Sequence, residues 1–187
     1  MSANKFFESL DITSRRSFLK IAALAGVSSS VLFAPASSMA AYGKAAETLN
    51  VALGLEFEAI SAYSAGAGLL EGAVLDLAKG FLANHQQHRD ALIATINKIG
   101  GKPIPEPKFD AGKTLAKVGL KDLTKDNVLQ LAAALERGAT QAYLGVIPQL
   151  EKLEIAQAAA KIAADEATHT AILEHALKTY KGKSFLG

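Results

Sequence analysis

A chain of 187 residues, half of them hydrophobic, has room for one domain with a real core. Its 20 basic and 18 acidic residues give a net charge of +2, and residues 1–40 carry four of the basic and two of the acidic ones, so the remainder is balanced. A neutral body offers no electrostatic footprint for nucleic acid or an acidic membrane, and the lack of cysteine excludes disulfides, thiolate metal sites and a lipoprotein anchor.

The chain opens on a leader. Ser14-Arg15-Arg16-Ser17-Phe18-Leu19-Lys20 precedes a mild apolar run from Ile21 to Ala34, then Pro35 and Ser38-Met39-Ala40. The run is too short for a comfortable membrane span, and a small-x-Ala ending suits signal peptidase. The segment resembles a bacterial twin-arginine export signal, with Phe18, Leu19 and Lys20 in the places that signal requires. That resemblance implies a signal peptide over 1–40 and a mature domain over 41–187. It also implies the twin-arginine machinery as a partner, a periplasmic destination, and no stable membrane anchor once the chain is cut near Ala40.

From Glu47 onward the pattern is helical and rich in alanine. The first helix is expected over about 46–68, with an inward stripe of Ala52, Glu56, Ala59, Tyr63 and Gly66. After a break at Gly68–Gly72 the second runs over about 72–99, its stripe reading Ala78, Phe81, His85, His88, Leu92, Ile96 and Ile99. On this spacing Asn84, Gln87, Arg89 and Asp90 fall on other faces. Gly100-Gly101 stops the helix. Residues 100–124, with Pro103, Pro105 and Pro107, read as an irregular connection long enough to cross a bundle, which lets the third helix run parallel to the second. That helix is expected from an N-cap at Thr124 to near Pro148, with Ala132, Glu136, Ala139, Tyr143 and Val146 inward. The fourth covers about 153–180, with Ala159, Ile162, Glu166, His169, Leu173 and Leu177 inward, and the polar tail from Lys181 reads as frayed.

Chemistry concentrates at Glu166-x-x-His169. A carboxylate and an imidazole three residues apart on a helix face the same way and can grip one metal ion. That spacing alone is a weak signal, since it also occurs on solvated helices. A repeat strengthens it. Leu55-Glu56-x-x-Ala59-x-x-Ala62-Tyr63 matches Leu135-Glu136-x-x-Ala139-x-x-Ala142-Tyr143 at an offset of 80, and His85-x-x-His88-x-x-x-Leu92 matches Glu166-x-x-His169-x-x-x-Leu173 at an offset of 81. Two helical hairpins of one design explain both offsets. In an antiparallel hairpin, residues equidistant from the turn lie level. The midpoint of Glu56 and His85 is 70.5 and that of Glu136 and Glu166 is 151, each inside a helix break. Six side chains thus meet in one core: Glu56, His85, His88, Glu136, Glu166 and His169.

Over residues 46–180 these positions resemble the ferritin-like superfamily of di-iron carboxylate bundles, which includes rubrerythrins and bacterioferritins. Its pattern is one Glu from each of two helices and Glu-x-x-His from each of the other two. The resemblance implies an all-α, ferritin-like four-helix bundle made of two hairpins, with the long crossover between the second and third helices. It implies Glu56 and Glu136 as terminal ligands, Glu166 as a bridge, His88 and His169 as caps, and Tyr63 and Tyr143 hydrogen-bonded to ligands; the alternative for both tyrosines is aromatic core filling. Iron is the implied metal, and a di-iron oxidoreductase of ferroxidase, peroxidase or oxidative-stress type is the implied activity. One position departs. The family's second bridging Glu is His85 here, which removes an anion and a ready bridge and makes manganese, zinc or a single metal credible. The competing reading is therefore a non-catalytic metal-binding or structural module with a degenerate site. Glu58 lies off the inner stripe and reads as a solvated or interface residue, and Glu174 and His175 lie off the stripe of Glu166, His169 and Leu173. Nothing marks a storage-shell interface, so the expectation is a monomer or homodimer.

Overall fold

The structure is a computed structural model that describes residues 36–179. The described residues form four long helices and one short one, with no strand among them. Helix α1 spans Ala36–Ala67, α2 Gly72–Lys98, α3 Ala111–Lys117, α4 Val128–Val146 and α5 Leu153–Thr179, with a 3₁₀ turn at Ile147–Gln149 before α5. The fold is the expected all-α bundle. The twin-arginine segment and the tail from Lys181 lie outside the described residues.

Two boundaries differ from expectation. α1 begins at Ala36, ten residues early, so the bond near Ala40 falls in its first turns. α4 begins at Val128, with Asn127 rather than Thr124 at the N-cap position. The Thr124 N–H donates to Asn127 Oδ1 and the Asn127 amide donates to the Asp122 carbonyl, a turn that delays the helix.

Each hairpin packs along its length, α1 on α2 and α4 on α5, and apolar stripes close the bundle. One core cluster gathers Leu49, Leu53, Phe57, Leu92, Ile96, Ile155 and Ile162; a second gathers Leu77, Phe81, Val128, Leu129, Ile172 and Leu173. The six polar side chains lie between them. Gly100 takes a φ of +78°, the left-handed conformation that ends α2. Gly101 then passes so close to α1 that an added Cβ would stand 2.5 Å from that of Ala46.

The crossover is more ordered than its prolines suggest. Asn50 on α1 accepts from the Ile104 N–H and donates to the Lys102 carbonyl. Further on, Asp110 caps α3 by accepting from the Lys113 N–H, and Thr114 and Lys117 both donate to Glu58. Lys125 then reaches Glu71. The chain has followed α1 from Asn50 to its end at Ala67, roughly 25 Å at about 1.5 Å per residue, and reached Glu71 at the start of α2. α4 therefore starts at the end of the bundle where α2 started, and the two run parallel, as the length of the connection led one to expect. Glu58 takes the interface role foreseen for it.

Candidate metal centre

All six sequence-predicted residues are buried, each 2 % exposed or less, and they come together in one cluster. Glu56 comes from the middle of α1, His85 and His88 from α2, Glu136 from α4, and Glu166 and His169 from α5. The level pairing of the hairpin arms puts them at one height. Their potential donor atoms fall into two groups. Glu56, His85, His88 and Glu166 form one, and His85, Glu136, Glu166 and His169 the other, each with its atoms mutually within 4.8 Å.

The two shared residues present different atoms to each side. Glu166 Oε1 lies 3.0 Å from His88 Nδ1, while Oε2 lies 3.7 Å from His169 Nδ1. His85 places Nδ1 2.9 Å from Glu56 Oε2 and Nε2 3.1 Å from Glu136 Oε1. One imidazole thus reaches a carboxylate of each hairpin, where a second bridging carboxylate stands in the pattern above.

Further polar groups fix this arrangement. The Tyr143 hydroxyl donates to Glu56 Oε1 at 2.5 Å, and the Tyr63 hydroxyl donates to Glu136 Oε1. Each hairpin's tyrosine thereby holds the other hairpin's carboxylate, which the alternative of mere core filling does not require. Two further residues reach the cluster from faces that the inward stripes do not include. Asn84, assigned to another face, sets its amide 3.1 Å from His169 Nε2, and Asp165 sets Oδ2 3.2 Å from His88 Nε2. Both act on the outward nitrogen of an imidazole whose Nδ1 faces the carboxylates, the arrangement that orients metal-ligating histidines. They too are a repeat pair, each one residue before a shared residue of the two groups. Phe81 stacks on the His169 ring with centroids 4.0 Å apart. Glu174, off the stripe as expected, pairs with Arg137 at 2.5 Å.

Electrostatics reflect how tightly these groups are confined. Burial pushes the Glu56 carboxyl up, but hydrogen bonds from His85 and His88 outweigh it and bring it down to about 2. Glu136 is likewise held well below the usual range, burial being overcome by His169 and His85. Burial pushes His85 down, and Glu136 and Glu56 reverse this to about 10. His88 and His169 are raised against burial by their carboxylates. Glu166 alone among the carboxylates is pushed up: burial leads, and its Oε2 has no hydrogen-bond partner. Burial, then the charges of Glu136 and Glu56, lift the Tyr63 and Tyr143 hydroxyls well above their ordinary range.

An orphaned carboxylate oxygen at the centre of three buried carboxylates and three imidazoles is a donor set that suits a divalent metal. Taking each such anion out of water costs several kcal/mol unless a partner compensates it. A profile of the ferritin-like domain family matches residues 44–179. The chain belongs to the ferritin-like family. Solved structures agree on the fold. A conserved hypothetical protein from Mycobacterium tuberculosis superposes with a TM-score of 0.65 at 19 % identity, covering 73 % of this chain and 93 % of that one. A ferritin-like, diiron-carboxylate protein from Bacillus anthracis gives 0.58 at 23 % identity over 71 % and 94 %. A dodecameric thioferritin from Bacteroides fragilis, related to bacterioferritin, gives 0.62 at 23 % identity over 82 % and 100 %. No curated protein matches the sequence.

Proposed function

We propose that this ferritin-like chain is an exported metalloprotein that holds one or two metal ions, iron foremost, between its hairpins for ferroxidase- or peroxide-type protective chemistry. The observation that carries this is the pair of donor groups sharing Glu166 and His85. A bound redox metal would supply electron transfer to oxygen or peroxide. The chain's own residues do the rest. Glu56 and His88 define one position, Glu136 and His169 the other, and Glu166 offers an oxygen to each. Asp165 accepts from His88 Nε2 and so, in the neutral imidazole that a metal requires, would leave the Nδ1 lone pair facing inward; Asn84 backs His169 with a neutral amide instead, which makes the two positions inequivalent. Tyr63 and Tyr143 restrain the terminal carboxylates, and Phe81 covers His169 against water.

Three carboxylates, where the family pattern has four, bind two divalent ions less firmly, which admits manganese, zinc or a single ion. One observation favours the second reading, a structural or non-catalytic module. His85, when protonated, donates to Glu56 and Glu136 at once and satisfies both with no metal. We place the mature protein in the periplasm as a monomer or homodimer, delivered already folded by the twin-arginine route with its metal acquired beforehand. The test is metal analysis of the exported protein with an optical spectrum recorded during peroxide addition. Bound iron whose absorption changes with peroxide supports the redox reading. Stoichiometric metal with an inert spectrum supports the module, and no metal at all removes both metal readings.

A further inference from the structure

The end of the bundle that carries the α1–α2 turn is incompletely filled. A cavity of about 20 Å³ lies there, lined by Tyr63, Gly66, Leu77, Phe81, Val128 and Leu173 among others. Roughly 10–15 Å³ on the same measure admits one water-sized guest, so a single small molecule fits. Water is poorly suited to it. A buried water needs two to four polar partners, and the only polar side-chain group in the lining is the Tyr63 hydroxyl, already donating to Glu136. The guest this space selects is therefore apolar.

Its inner wall touches the candidate metal centre. Tyr63 and Phe81 meet edge to face at 6.2 Å; Tyr63 lies 5.3 Å from the His85 ring, and Phe81 is stacked on His169. On the outer side the half-buried Val74, Ala132 and Leu135 complete the lining. We propose that this cavity binds a small apolar molecule of the dioxygen class, one ring's thickness from His169. That the guest serves the metal centre rests on the function proposed above; that it binds does not.

Dioxygen is paramagnetic, so it reports its own residence by relaxing nearby nuclei. The full chain, metal-free and methyl-labelled, is examined by NMR under increasing oxygen pressure. Methyl groups of Leu77, Val128 and Leu173 should relax several-fold faster than those of Leu115 and Leu150, which are buried away from this cavity. Ala132→Leu, which fills the space from its rim, should abolish the difference, and Val128→Ala, which enlarges it, should increase the difference. Equal relaxation in the two sets, or a difference that neither variant changes, overturns the proposal. Should Ala132→Leu not fold, Val128→Ala decides alone. With no metal present, failure here leaves the metal reading standing, and a chain that binds oxygen here but no metal refutes that reading only.

Discussion

His85 is the residue at which this chain parts from its family's pattern, and the structure gives the substitution a geometry. Its two nitrogens bind carboxylates of opposite hairpins, so it neutralises charge that the family pattern leaves to metal. His85→Glu should invert that balance. The metal-free variant gathers four buried carboxylates and loses two charge-assisted hydrogen bonds, so it should melt below the wild type. Iron should rise toward two per chain, with a larger metal-induced increase in Tm than wild type shows. Elemental analysis and paired melting curves measure both; a variant that binds no more iron than wild type would make His85 irrelevant to the metal balance. Repetition and helical spacing together point Glu56, Glu136 and the two tyrosines into the bundle, where the structure buries them. The stripes miss Asn84 and Asp165, because one step along a helix turns a side chain about 100° from the stripe, onto a face that here abuts the neighbouring hairpin. Their matching places in the repeat were the available signal.

At the scale of elements, the four long helices were legible because each carries an apolar stripe of several turns between clear breakers. α3 was not. Seven residues with Gly112 at the second position show no period, and only Asp110, three residues before Lys113, announces the cap. The start of α4 went wrong for a related reason, since Thr124 and Asn127 both qualify as caps and the hydrogen bond between them decides. The join between α2 and the crossover depends on close approach. Gly101→Ala would place a methyl group 2.5 Å from Ala46 Cβ and 3.0 Å from Ile96 Cγ2. Neither neighbour is the far end of a flexible chain, so the backbone must shift, at about 1–3 kcal/mol. Chemical denaturation should show that loss with an unchanged slope, and an unaltered midpoint would mean that the two segments are not held this closely.

For the whole molecule, the charge balance of the core predicts a pH window. The Glu56 carboxyl falls from an ordinary 4.5 to about 2, so its contribution is present above 4.5 and lost as pH drops toward 2. His85 rises from 6.5 to about 10, so its contribution is complete below 6.5 and lost as pH climbs toward 10. The metal-free protein should be most stable between about pH 4.5 and 6.5, and its Tm should fall on both sides; metal, which needs neutral imidazoles, should flatten the alkaline fall. A Tm for the metal-free chain that rises steadily from pH 6.5 to 9 would contradict this. Export is a separate property of the whole chain. Replacing Arg15 and Arg16 together with Lys should block it, because ammonium groups do not mimic paired guanidinium groups. Fully mature double variant in the periplasm would remove the twin-arginine assignment.

Glu166 belongs to both donor groups and, among the described residues, holds the one buried side-chain oxygen without a hydrogen-bond partner, so the central claim turns on it. The deciding measurement is native mass spectrometry of the folded chain titrated anaerobically with ferrous ion, beside Glu166→Gln. Wild type should retain one or two irons per chain, and the variant, equally folded by circular dichroism, should retain none. Equal retention by both proteins, or none by wild type, would contradict a metal centre between the hairpins.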